Sequence, residues 1–390
     1  MSKNSPDSIR QDITAKIVSA LTAGTTPWRQ PWKNHPNAGI PANFQSKRRY
    51  TGINTLILMC SSLEGDYHSR FWGSSSSVMN QLGGHVKKGE KSTYVTFFKM
   101  LPKKNENGSI EKDKKGNDRV IPLLRQYPIF NIEQFQAPTV ETLLDGRGAY
   151  GVVKGLLGQY DKKNRTSVTT VAELRQIAIK YIAAKDQPTQ DATREQIAEA
   201  ICQGIQQNLA SYRADVEVED VEANYDPADN LMVKSGAVIK HGGNRAFYNV
   251  TRDYIQLPNR RFFDTLTDYY QTAFHELAHW TKPEGRVGRS VTIEDQTASY
   301  AFEELIAELA SCFTLTEVGV PLADSMMPKS QSYLAHWLKT MENDPKYIFT
   351  AATQASKIVD YLLTFVGKQN QQFAEDDTDN TDDQLERGVA

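Results

Sequence analysis

Two histidines four residues apart with a glutamate between them, His275-Glu276-Leu277-Ala278-His279, are the residues of this chain best suited to chemistry. On a helix, positions i and i+4 lie one above the other, so both imidazoles reach one metal ion. Glu276 sits about 100° round the same helix, where its carboxylate serves as a base toward a water activated by the metal rather than as a ligand. The chemistry implied is metal-dependent hydrolysis. The plain alternative is an amphipathic helix carrying histidines on a polar face, so the surrounding elements decide.

Those elements suit a metal site. Phe263, Leu266, Tyr270, Phe274, Leu277 and Ala278 recur at three- and four-residue spacings, the period of a helix with one apolar face. Asp264 offers an N-cap, and the proline and glycine of Lys282-Pro283-Glu284-Gly285 stop the helix, which predicts about eighteen helical residues with the motif near their C-terminal end. A catalytic zinc takes three protein ligands and leaves the fourth position to water. The stretch Glu294–Thr316 also reads as a helix and contains Glu303, Glu304 and Glu308. Glu304 and Glu308 share a face one turn apart, suiting one as ligand and the other as holder of a histidine's free ring nitrogen. Glu303 competes with Glu304 for the ligand position, and a solvated helix face is the ordinary role of Glu303 or Glu308. The pair of helices resembles the gluzincin type of zinc metallopeptidase, HExxH followed by a helix bearing E-x-x-x-D/E. That resemblance implies Zn2+ held by His275, His279 and Glu304, with Glu276 as catalytic base and Glu308 supporting from outside.

The chain has 390 residues and a formal net charge of −2, length enough for two or three domains. Its three cysteines, Cys60, Cys202 and Cys312, are too scattered for a disulfide framework or a CxxC site and read as core residues of a protein in a reducing compartment. No segment has the run of apolar residues that crosses a bilayer, and the first residues lack a signal-peptide pattern, so the expected location is the cytoplasm. The near-neutral total hides an asymmetry. Residues 1–125 hold 20 Lys and Arg against 9 Asp and Glu, and residues 126–390 hold 25 against 38. A basic first third suggests an anionic polymer bound at one end of the protein.

Aromatics are set among those charges: Trp28, Arg29, Trp32 and Lys33, then Lys47, Arg48, Arg49 and Tyr50, then Lys87, Lys88 and Lys91 close to Tyr94, Phe97 and Phe98. Cations follow phosphates and flat rings stack on unpaired bases, so the mixture suits single-stranded nucleic acid. Against this, Trp28 and Trp32 could staple a loop to the core, and lysine runs are often solvated faces. Pro27–Trp32, Tyr50-Thr51-Gly52-Ile53-Asn54, Leu82-Gly83-Gly84-His85 through Ser92, and Phe130-Asn131-Ile132-Glu133-Gln134 resemble, in order, the N-terminal domain of the ArdC antirestriction family, which is similar to the N-terminal region of TraC-type primases. His241–Tyr248, Asp253–Pro258 and Phe274–Thr281 resemble the zincin-like domain of that family. The resemblance implies single-stranded-DNA binding, a host protein or peptide as substrate, and protection of plasmid or phage DNA from host restriction.

The expected fold is therefore α+β, in four parts: a mixed α/β single-stranded-DNA-binding domain over 1–136, a helical insert over 137–221, a zincin-like metallopeptidase domain over 222–372 and an acidic disordered tail over 373–390. The insert departs from the family pattern and reads as a spacer or partner-binding module, with helices at Val171–Tyr181 and from Arg194. Ala246–Val250 and Tyr254–Leu257 read as two strands joined by a turn. The rival to a peptidase is a binding protein whose zincin domain holds metal only for folding or partner recognition.

Overall fold

The structure, a computed structural model, describes residues 6–24, 26, 28, 37–103, 105, 109–112, 116–144, 150–158, 170–214, 225–289, 296–321 and 331–368. The first third runs α1 (Pro6–Thr22), β1 (Ala42–Asn43), α2 (Ile53–Gly65), β2 (Phe71–Gly73), α3 (Ser75–Leu82), β3 (His85–Val86), β4 (Thr93–Pro102), β5 (Val120–Asn131) and β6 (Phe135–Gln136). Four helices follow, α4 (Val140–Leu144), α5 (Tyr150–Leu156), α6 (Val171–Tyr181) and α7 (Arg194–Ala210). The remainder runs α8 (Asp226–Lys234), β7 (Ile239–His241), β8 (Phe247–Asn249), β9 (Tyr254–Leu257), α9 (Leu266–Trp280), α10 (Gln296–Val318), α11 (Gln331–Asn343) and α12 (Lys346–Thr364). The mixture of helices and short sheets is the α+β class expected.

In the first third, β4 and β5 form a long antiparallel hairpin at the edge of a sheet of order β1-β2-β5-β4. The middle helices begin at reciprocal caps, Thr170 with Glu173 and Thr193 with Gln196, which satisfy backbone donors that a helix start leaves open. Leu174, Ile177, Ile201, Ile205 and Leu209 from these helices share one buried cluster with Phe44, Val78, Ile132 and Phe135. The insert is thus part of the core of the first third, not a detached spacer. Gly83 shows how closely it packs: its φ is 80°, and a Cβ there would meet the Ile205 side chain at 2.6 Å. Only glycine meets both demands.

A second core surrounds α9. Tyr269, Tyr270, Phe274 and Leu277 are buried with Leu305, Leu309 and Phe313 of α10, Ile358 and Leu362 of α12, and Ile255 and Leu257 of β9. The same cluster takes Ile9, Ile13 and Ile17 from α1 and Leu56 and Met59 from α2. Each such side chain contributes about 1.5–3 kcal/mol when fully buried, so the first two helices are structural parts of the body that holds the histidine motif. Thr14 Oγ1 donates to the Pro345 carbonyl at 3.1 Å, and the Gly52 N–H to Ser356 Oγ at 2.8 Å. This core crosses the boundaries drawn at 136 and 222 from sequence. The tail over 373–390 lies outside the described residues.

Candidate metal centre and its cleft

Helix α9 starts one residue later than expected. Thr265, not Asp264, is the N-cap, and Thr265 and Asp268 form a reciprocal capping box. The helix has 15 residues and ends at Trp280, with Thr281 as its C-cap. Its apolar side chains turn into the core, which leaves His275 and His279 on a half-buried stripe facing α10.

Across that stripe the two imidazole Nε2 atoms approach to 3.1 Å. Glu304 reaches both, Oε2 lying 3.3 Å from His275 Nε2 and Oε1 lying 3.4 Å from His279 Nε2. His275, His279 and Glu304 each present a donor atom within 4.8 Å of the others. Two imidazole nitrogens and a carboxylate oxygen converging on one point match the donor set of a three-residue zinc site.

The outward Nδ1 atoms also face carboxylates. His279 Nδ1 lies 3.3 Å from Glu303 Oε1, and His275 Nδ1 lies 4.0 Å from Glu308 Oε2. Glu303, weighed in the sequence as a rival ligand, therefore sits behind His279 while Glu304 faces the centre. Its role behind the histidine has no signal in the spacing alone, because a helix places 303 and 304 on neighbouring faces and only the packing of α10 on α9 separates them. Burial would lower the His279 pKa, but Glu303, Glu304 and Glu276 outweigh it and push it up to about 9. Burial would raise Glu303, yet His279 and Arg289 hold it down at about 2. Glu304 is likewise held well below the usual carboxylate range against its burial by His275 and His279.

These residues line a cleft of about 810 Å³. Glu276 is on its wall, and so is the chain from Arg245 to Tyr248, which includes the start of β8. Among the described residues β8 pairs with β9 on one side only and forms an edge of the sheet β7-β9-β8, so its other side is a template for an extended chain. The turn after β8 is anchored: Tyr248 Oη donates to Asp253 Oδ1 at 2.8 Å, and Arg286 Nη2 donates to Asp253 Oδ2 at 2.5 Å while its guanidinium lies over the Trp280 ring. Gln271, one turn before His275, also lines the cleft, buried and with neither amide atom paired among the described residues. Arg286, Arg289 and Gln271 carry no signal in the sequence: the two arginines follow the helix-stopping Lys282–Gly285 in no regular period, and Gln271 is polar within a helix.

The basic residues of the first third are not gathered in this way. Trp28 is fully buried beside α1, which corrects the stacking role expected of it, since neither ring face meets solvent. Arg49 is corrected too: its side chain is 8% exposed, and its guanidinium lies 3.4 Å from Glu317 and 3.1 Å from Asp360 and donates to the Lys368 carbonyl. Tyr50 packs half-buried against the cluster of Leu58, Trp72 and Val95, and burial pushes its phenol up to about 12. The Lys47 ammonium sits over the Tyr212 and Phe71 rings, at 3.7 and 4.6 Å from their centroids. Arg48 and Lys87 are half-buried, whereas Lys88 and Lys91 are exposed. Tyr94 and Phe97 are exposed aromatics nearby on β4. Arg29, Trp32 and Lys33 lie outside the described residues.

Two family descriptions match the chain, the N-terminal domain of anti-restriction factor ArdC over residues 7–130 and a zincin-like metallopeptidase over residues 226–354. Among solved structures, the antirestriction ArdC protein from the R388 plasmid is similar in its metal-free form with a TM-score of 0.60 and 26% identity, over 93% of this chain and 99% of that one. Its Mn(II)-bound form gives 0.56 and 27%, over 92% and 98%. A DNA primase TraC of Escherichia coli is 29% identical over 366 residues, 92% of this chain but 20% of the primase, and a second is 28% identical over 93% of this chain and 28% of its own length. The chain thus spans between a fifth and a third of the primases it matches. An uncharacterized protein of Sinorhizobium fredii is 24% identical over 92% of each chain. Among the described residues no helix is long and apolar enough to cross a membrane.

Proposed function

The chain belongs to the ArdC family, an ArdC N-terminal domain followed by a zincin-like metallopeptidase domain, and from that premise we propose that it is a metal-dependent peptidase which also binds single-stranded DNA and protects incoming DNA from restriction. The convergence of His275, His279 and Glu304 within 4.8 Å carries the first part. These three hold the metal, and their two nitrogens and one oxygen favour zinc over manganese. When bound, a divalent metal supplies Lewis acidity that polarises a carbonyl and makes water a stronger acid.

The chain's own residues do the rest. The free edge of β8 pairs with an extended polypeptide and lays it along the cleft. Gln271 offers a buried donor and acceptor that a peptide or carboxamide group would satisfy. Glu276 takes the proton of the attacking water and returns it to the departing amine. Lys88, Lys91, Tyr94 and Phe97 supply exposed charge and stacking surface for an unpaired strand.

The test compares the intact chain with Glu276→Gln. Both should retain equimolar metal after purification without chelator, while cleavage of cellular proteins falls about 10²–10⁴-fold in the variant. A wild-type chain that holds no metal would overturn the site. Metal-loaded protein that produces no cleavage difference from Glu276→Gln would favour the binding-only alternative.

A further inference from the structure

The segment after α9 folds back on the helix it leaves. The N–H groups of Val287, Gly288 and Arg289 donate to the carbonyls of Thr281, Pro283 and Lys282 at 3.0, 3.1 and 2.9 Å. Gly288 has φ 69°, a left-handed conformation that glycine adopts without strain, and the next residue, Arg289, is thereby turned inward. Its side chain is 1% exposed. The guanidinium forks between two helices. Nη1 donates to Thr281 Oγ1 at 2.5 Å and Nη2 to the Ala278 carbonyl at 2.9 Å, both at the end of α9, while Nη2 also reaches Glu303 Oε1 of α10 at 2.6 Å.

That same Glu303 oxygen faces His279 Nδ1. A carboxylate as buried as Glu303, whose side chain is 5% exposed, would be costly to hold as an anion without a cation against it. With Arg289 in place it stays an acceptor, which favours a proton on His279 Nδ1 and leaves Nε2 as the nitrogen that faces the point where the three donors meet. The other histidine lacks so close a support, its Nδ1 standing 4.0 Å from Glu308.

We infer that Arg289 is a positioning residue of the metal centre: through Glu303 it fixes the orientation and tautomer of His279 and so sets the affinity for metal, without itself touching metal or substrate. The inference rests on the reading of His275, His279 and Glu304 as ligands. It differs from a purely structural tie between α9 and α10, which would change the stability of the metal-free protein and leave the affinity of the folded protein alone.

The experiment titrates Zn2+ into the metal-free full-length chain against a chromophoric chelator, with folding followed by circular dichroism. Glu303→Gln and Arg289→Met should each weaken Zn2+ binding about 10–100-fold. The double variant should lose little more than either single one, because both substitutions remove the same support. Arg289→Lys should recover part of the loss, since lysine keeps the charge without the fork. Folded Arg289→Met or Glu303→Gln with wild-type affinity would overturn the inference, as would losses that add in the double variant. If Arg289→Met does not fold, Glu303→Gln and Arg289→Lys decide alone. A wild-type chain that binds no Zn2+ strikes instead at the ligand assignment.

Discussion

The candidate metal centre and the basic first third are both clusters of chemically apt residues, and the fold treats them in opposite ways. At the centre, residues from α9 and α10 meet within hydrogen-bonding distance of one another. In the first third, Trp28 goes into the core, Arg49 is enclosed by carboxylates, Lys47, though exposed, lies over aromatic rings, and Lys88 and Lys91 stand exposed. The difference is one of geometry. Residues four apart on one helix have a fixed spatial relation before any packing occurs, whereas charges spread over loops and strands have none until the chain has folded.

The sharpest way to break this contrast is Arg49→Ala. If Arg49 is structural, its removal leaves Glu317 buried without one of its cations and costs about 3–5 kcal/mol, read as a fall in the urea midpoint, while the affinity of the folded variant for single-stranded DNA stays unchanged. The opposite pattern, full stability with weakened DNA binding, would restore Arg49 to the DNA surface.

On the side of the metal centre, pH probes how strongly the carboxylates act. In the metal-free protein His279 is raised to about 9, so metal must displace its proton at lower pH. Apparent Zn2+ affinity should climb about tenfold per pH unit, roughly 100-fold from pH 7 to 9, and level off above that. The stability that the protonated ring draws from Glu303 and Glu304 runs with the other sign. It is complete below the ordinary histidine value of about 6.5 and is lost as pH rises through about 9, so the melting temperature of metal-free protein should decline over that window. An affinity flat between pH 7 and 9 would show that the carboxylates do not hold a proton on His279.

The smallest effects belong to the exposed stretch of the first third. Phe97→Ala should weaken single-stranded-DNA binding by about 1–3 kcal/mol if its ring stacks on a base. Lys88→Ala and Lys91→Ala should each make the dependence of binding on salt shallower by about 0.7 in the logarithmic slope. Affinity for duplex equal to that for single strands would count against stacking altogether.

What could be read beforehand follows the same division. The strands around Thr251–Asp253, the helix Val171–Tyr181 and the motif helix were readable because each has its own period and its own punctuation. Glu304 stood out only through the gluzincin resemblance, because helical spacing alone left Glu303 open beside it. Arg289 was not, since it acts from an irregular segment whose backbone bonds alone turn it inward. The burial of Trp28 was equally hidden: an aromatic beside an arginine has the same sequence signature whether it stacks on a base or plugs a core, and only the presence of Ile13, Ile17 and Leu21 in that core decides.

The core shared by α1, α2 and α9–α12 gives the two family matches a particular meaning. They mark separate stretches of sequence, yet Ile9, Ile13, Ile17, Leu56 and Met59 fill the hydrophobic interior around α9, and Arg49 and Arg70 grip Glu317 on the very helix that carries Glu304. Two segments joined in this way cannot be parted without exposing the interior they share: a break between them would strip one piece of its lining and the other of its counter-charges, and the primases and the Sinorhizobium protein match both, over more than nine-tenths of this chain.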